Sequence, residues 1–159
     1  MQRIFVDADS CPRQAREMVL RFSERFGIKA IFVANRPIPG TTTDFSRMEL
    51  CPPGEGAADN YIVEHARQTD LVLTRDLPLA ERLVEKGIRV LDDRGRVFSR
   101  ENIRELRSLR DFVVSLAESG QGIERSSSYG RKELSSFANS LDRELCRLRQ
   151  LQDKAAESV

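Results

Sequence analysis

Few things are missing from this 159-residue chain without consequence. No run of 18 apolar residues occurs, and no basic segment precedes an apolar stretch at the N-terminus. Neither a membrane span nor a secretory leader is therefore supported, and a cytoplasmic location is expected. The three cysteines, Cys11, Cys51 and Cys146, are odd in number, far apart and in no CxxC pair. That spacing argues against a disulfide framework and a structural zinc site, so reduced thiols are expected. Cys11 lies beside a helix start that would lower a thiol pKa, but Asp7 and Asp9 act the other way. The single histidine, His65, lies in a helical stretch with no partner histidine, which suits packing or surface exposure rather than metal binding. Net charge is missing too: 26 basic against 25 acidic residues leave +1, so overall charge points to no partner.

What is present is an apolar run that ends on acid. Ile4, Phe5 and Val6 are β-formers followed by Asp7-Ala8-Asp9-Ser10-Cys11-Pro12, which reads as a strand delivering carboxylates to a helix start. Asp9 or Ser10 is expected to cap that helix, with Pro12 tolerated in its first turn. The pattern recurs: residues 71–74 form a second apolar run that reaches Asp76 before Pro78, and Val90-Leu91 leads to Asp92-Asp93. Three strands thus bring acid to one edge, where open α/β sheets place their ligands.

Between these runs, Ala15, Met18, Val19, Phe22 and Phe26 recur at helical spacing up to Gly27. A strand is expected over 30–34 and a long loop over 35–44, followed by a short strand over 48–50. The breaker cluster 52–56 precedes a helix marked by Ala58, Ile62 and Ala66, with Asp59 in its first turn, where an acid also suits the helix dipole. A helix over 77–86 and a strand over 88–91 complete a β-α alternation, which implies right-handed crossovers. The expected fold class is α/β, a largely parallel sheet flanked by helices, followed by C-terminal helices.

One domain spanning 1–159 is expected, with a core over 1–118, a flexible connection over 119–130 rich in Gly and Ser, and a final helix over 131–152 before a frayed end. In the helix before the connection, Leu106, Leu109, Phe112, Val113 and Leu116 make one apolar face. Arg100, Arg104 and Arg107 are expected on the opposite face. Residues 94–132 carry nine basic and five acidic side chains, so these three arginines are candidates for phosphate contacts with nucleic acid; the alternative is a solvated face.

If the strands ending at Asp7 and before Asp76 are neighbours, those two carboxylates and Asp59 meet, with Asp9 as a fourth candidate ligand. An all-oxygen set of this kind suits Mg²⁺ or Mn²⁺, which retain waters and need few carboxylates. A cation so held can polarise a phosphoryl oxygen and generate hydroxide near neutral pH.

Several motifs in order then carry a resemblance covering most of residues 4–120. They are Val6-Asp7-Ala8-Asp9-Ser10-Cys11-Pro12, Val33-Ala34-Asn35, Ala57-Ala58-Asp59-Asn60, Thr74-Arg75-Asp76-Leu77-Pro78, Lys86-Gly87, Arg94-Gly95, Glu101-Asn102-Ile103 and Arg110-Asp111. Together they resemble the YaiI/YqxD family of bacterial proteins, itself similar to the PIN-like superfamily of metal-dependent ribonucleases. The resemblance implies a three-layer PIN-like fold, RNA as substrate, and Asp7, Asp59 and Asp76 as catalytic metal ligands, with Thr74 as an orienting hydroxyl. The chain departs from the family pattern at Gly56, where a further carboxylate is usual, and over 120–123, where relatives carry Gly-Gly-Pro.

Two other readings use some of the same residues. A metal- or RNA-binding module without turnover needs no more than the acidic cluster and the arginines. A haloacid-dehalogenase-like phosphatase would use Asp7 as nucleophile and Asp9 as acid/base, with Thr74 and the Asp92-Asp93 pair completing the set. Against the phosphatase, Lys86 lies inside a helix and no cap domain is visible.

Overall fold

The computed structural model describes residues 2–120 and 128–158. Five strands, β1 (Arg3–Asp7), β2 (Lys29–Ala34), β3 (Ser46–Leu50), β4 (Leu71–Leu73) and β5 (Arg89–Leu91), form a sheet of order β3-β2-β1-β4-β5. All four neighbouring pairs are parallel. Such strands are buried on both faces, which is why β1, β2 and β4 read as continuous apolar runs rather than alternating ones.

Pleating sends successive side chains to opposite faces. Ile4 and Val6 join Ala15, Val19, Phe137 and Leu141 under helices α1 (Arg13–Phe26) and α5 (Arg131–Glu157). Phe5 faces the other way, onto Ile62, Leu79 and Leu83 from α2 (Ala57–His65) and α3 (Leu77–Glu85). The start of α4 (Arg100–Glu118) adds Ile103 to that layer. Burying each of the larger of these side chains, Ala15 apart, contributes about 1.5–3 kcal/mol. The result is an α/β fold in three layers, helices on both faces of a parallel sheet.

The chain leaves β1 for β2 and β3 on one side and then returns to β4 and β5 on the other. The order therefore reverses at β1, and the carboxyl ends of β1 and β4 border the crevice that such a reversal opens. Ion pairs between partly exposed arginines and buried acids fix the opposite edge. Arg3 pairs with the fully buried Asp70 at 3.0 Å, and Arg89 holds the buried Glu144 of α5 through two bonds of 2.8 Å. The turn after β5 is clamped to α5, where Ser140 Oγ donates to the Gly95 carbonyl at 2.6 Å.

Several local expectations need correction. Neither Asp9 nor Ser10 caps α1. A 3-10 turn, Ala8–Ser10, intervenes, and Pro12 is the N-cap residue with no side-chain cap bond. The strand expected over 48–50 starts two residues earlier, because Ala30 to Ala34 offer it a full parallel partner. Helix α5 runs past 152 to Glu157, since Asp153, Lys154, Ala155, Ala156 and Glu157 include no helix breaker. Of the expected connection, residues 121–127 lie outside the described residues, and with them most of the 120–123 segment.

The largest correction concerns α4. Its arginine-bearing side faces α3, and the apolar face expected to pack is turned to solvent: Leu109 is 58 % exposed and Phe112 59 %. The outward side of α3 carries Glu81 and Glu85, which offer the arginines counter-charges, and Ile103 is the only fully buried residue of α4.

Candidate functional site

Register builds the site. Val6 of β1 pairs with Leu73 of β4, so Asp7 and Thr74 come side by side as the two strands end. Asp7 is 5 % exposed and its Oδ2 accepts two hydroxyl hydrogen bonds, from Thr74 Oγ1 at 2.8 Å and from Ser10 Oγ at 2.9 Å. Thr74 Oγ1 in turn accepts the Asp76 amide at 3.0 Å, so one buried hydroxyl orients both acids. Asp76 is the N-cap of α3, with Oδ1 accepting the Leu79 amide at 3.1 Å. Among the described residues no hydrogen bond engages Asp7 Oδ1 or Asp76 Oδ2.

Asp59 stands in the first turn of α2, whose N-cap is Gly56. Its carboxyl is held above the usual range, first by burial and then by the negative fields of Asp7 and Asp76, with Arg82 opposing. The Asp7 carboxyl is raised too. Burial dominates, the Thr74 and Ser10 hydroxyls oppose it, and Asp76 and Asp9 add repulsion. Thus Asp7, Asp59 and Asp76 share one electrostatic neighbourhood, and among the described residues none of them forms an ion pair. As arranged, no three His, Cys, Asp or Glu side chains among the described residues form a group ready to hold a metal ion.

Asp9 lies at the border of this site, exposed, and is engaged elsewhere: Oδ2 accepts the Asn35 amide at 3.0 Å and Oδ1 faces Arg36 at 3.4 Å. It fastens the loop after β2 to the turn after β1. Asp92 accepts the amides of Arg94 and Arg96 within its own turn, and Asp93 pairs with Arg75. The terminal acidic pair is therefore committed to loop structure.

Arg100, Arg104 and Arg107 come together in an open groove of about 660 Å³ between α3 and α4, which Glu81, Glu85 and Asp111 also line. Arg107 bonds Glu81 at 2.6 Å, so the stripe is part of a mixed-charge groove on the flank rather than a bare cationic face. Cys11 is free, but burial, with Asp93 next, pushes its thiol up to about 12, which makes it inert as a nucleophile. His65 stacks on Tyr61 at 3.9 Å between ring centroids and bonds the Tyr61 carbonyl through Nδ1, a packing role. Ser10, expected only as a cap, is the orienting residue that motif reasoning missed. Its signal is a hydroxyl three residues after a strand-ending Asp, where a tight turn brings it back onto the carboxylate.

A family model described as "Uncharacterized BCR, YaiI/YqxD family" matches residues 5–147. A "UPF0178 protein" of Treponema pallidum (strain Nichols) is 45 % identical over 148 residues, 93 % of this chain and 84 % of the relative. A namesake from Treponema denticola is 43 % identical over 88 % of this chain and 89 % of its own length. Another from Ectopseudomonas mendocina (strain ymp) is 40 % identical, covering 92 % and 98 %. No solved structure matches the chain.

Proposed function

The chain belongs to the YaiI/YqxD family, and from that premise we propose that it is a divalent-cation-dependent nuclease that cleaves phosphodiester bonds of RNA at the crevice between β1 and β4. The observation that carries the reading is Asp7: a carboxylate almost fully buried at a central strand end, oriented by two hydroxyls and repelled by two further acids, with no ion-pair partner among the described residues. Clustered anions of this kind cost stability and are best explained by what they hold.

The donor set fits a hard ion. Asp7 Oδ1, Asp76 Oδ2 and the unbonded carboxylate of Asp59 are oxygen donors, and Mg²⁺ or Mn²⁺ completes its shell with waters. Such an ion would polarise the scissile phosphoryl group and lower the pKa of the attacking water. The protein's own part is positional. Thr74 and Ser10 prevent Asp7 from turning, Thr74 ties Asp76 to the same hydroxyl, and burial of Asp7 keeps bulk water from screening the charge. Similarity to PIN-like ribonucleases supplies the choice of RNA.

A module that binds metal without turnover is the second reading, favoured by the separation of the carboxylates, which do not yet form a closed ligand group. The phosphatase alternative is weaker, because Asp9, Asp92 and Asp93 are each held by loop partners.

The test is Mn²⁺ titration by calorimetry alongside cleavage of a single-stranded RNA oligonucleotide. Asp7→Asn and Asp76→Asn should each remove Mn²⁺ binding and cleavage, and Asp7→Asn should raise the melting temperature without metal because it relieves a buried charge. Metal binding without cleavage favours the second reading. Loss of folded stability in both variants, with no change in Mn²⁺ affinity, overturns both.

A further inference from the structure

Helix α4 runs antiparallel to α3. Arg107 meets Glu81, and the first turn of α4 follows Phe98, whose amide donates to the carbonyl of Val90 in the middle of β5. Asp76 lies five residues before Glu81, so α4 beyond about residue 112 rises past the level of the acidic crevice, by about 9 Å at 1.5 Å per residue. From just below that level upward, α4 exposes large apolar side chains: Leu109 at 58 %, Phe112 at 59 % and Val113 at 36 % on one side, and Val114 at 47 % on the other. Leu109, Phe112 and Val113 lie within about 100° of one another around the helix, and side chains of this size gathered on one face mark an interaction surface rather than scattered exposure.

Their spacing says what kind. Leu106, Leu109, Val113 and Leu116 follow one another at intervals of three, four and three, with Leu106 and Val113 at a and Leu109 and Leu116 at d of two heptads; Leu106 packs in part against the core, so Val113 is the exposed a position. A β-branched residue at a with leucine at d favours a two-stranded parallel pair. We propose that this stripe is the seam of a parallel dimer formed with a second copy of the chain.

The flanking charges choose both occupant and direction. Glu105 stands at a g position and Arg110 at the following e position, and among the described residues neither is in an ion pair. In a parallel pair each Glu105 faces the Arg110 of the partner subunit, and each Phe112 faces the small Ala117 of the partner subunit. In an antiparallel pair Arg110 would approach its own copy, a like-charge contact that is destabilising. The two-fold axis then runs along α4, so both acidic crevices open toward the same side. The groove between α3 and α4 is untouched, because the seam lies on a different side of α4.

Sedimentation equilibrium of the full chain tests this. The mass should rise from 18.1 kDa toward twice that value between micromolar and sub-millimolar concentration. Leu109→Asp with Val113→Asp, at exposed positions and checked for an unchanged far-ultraviolet spectrum, should leave only monomer. Glu105→Arg should weaken the dimer roughly tenfold, as two pairs become repulsive. Adding Arg110→Glu should restore it. A wild-type chain that stays monomeric throughout overturns the proposal. A dimer that survives the double Asp variant places the interface elsewhere, and equal weakening by the single and paired charge changes refutes the parallel register.

Discussion

Replacing Thr74 by Val removes one hydroxyl from the centre of the acidic crevice while keeping the side chain's shape and β-branching. Thr74 is buried, donates to Asp7 Oδ2 at 2.8 Å and accepts the Asp76 amide at 3.0 Å. A hydrogen bond to a charged group is worth about 1.5–3 kcal/mol, and a buried amide left without a partner costs about 1–3 kcal/mol. Ser10 still donates to the same Asp7 oxygen, so the smaller values apply and the expected loss at neutral pH is about 3 kcal/mol. In a domain of this size that lowers the melting temperature by roughly 6–12 °C. The sign of its pH dependence follows from linkage. The Thr74 bond lowers the Asp7 pKa against the larger effect of burial, which holds it above 3.8. Without Thr74 the folded state keeps that proton to higher pH. As pH falls through the raised Asp7 value the carboxyl becomes neutral, the lost bond becomes an ordinary one of about 1 kcal/mol, and the gap between variant and wild type narrows. Urea unfolding of both proteins at neutral and acid pH, with the Asp7 carboxyl followed by NMR, measures this. A loss that is the same at both pH values, or an Asp7 pKa that does not rise in the variant, would refute the proposed coupling.

Other outcomes follow from single contacts. Arg89→Met leaves the buried Glu144 with Arg147 as its remaining partner and, because the Arg89 side chain is partly exposed, should cost about 1–2 kcal/mol at neutral pH. Although burial alone would raise Glu144, Arg89 and then Arg147 hold it below its ordinary 4.5, so the pair's contribution is present above that value and is lost as pH falls through the depressed one; acid unfolding of the two proteins should converge there. Gly95→Ala puts a Cβ 2.5 Å from the Ser136 carbonyl oxygen at φ +91° and should destabilise by about 3 kcal/mol, seen as a fall in the urea midpoint. Gly56→Asp meets open space but sits at φ +82°, so it should cost about 1 kcal/mol in unfolding experiments and raise Mn²⁺ affinity in calorimetry; no gain in affinity with an intact fold would show that position 56 does not serve the ion.

The acidic edge was legible from the sequence because its determinants are local. Apolar runs of three to five residues fix where β1 and β4 lie, the pairing of Val6 with Leu73 follows from parallel neighbours, and each run ends within three residues of its acid. The second use of Asp9 and Ser10 was not legible, since a 3-10 turn and a helix start ask for the same residue types, and only the third dimension shows that Ser10 points back to Asp7. Helix α4 was illegible for a deeper reason. Periodicity states that Leu106, Leu109, Val113 and Leu116 share a face; it does not state what that face meets. The core needed only Ile103 and part of Leu106 from this helix, and Glu81 offered Arg107 a partner on the other side. An apolar face that the fold leaves over is still subject to the hydrophobic effect, about 25 cal/mol for each Å² removed from water. Its heptad spacing, with Glu105 and Arg110 placed to pair across two copies, is what converts that residual driving force into a particular contact, and this is why the part of α4 that misled the fold prediction is the part that predicts assembly.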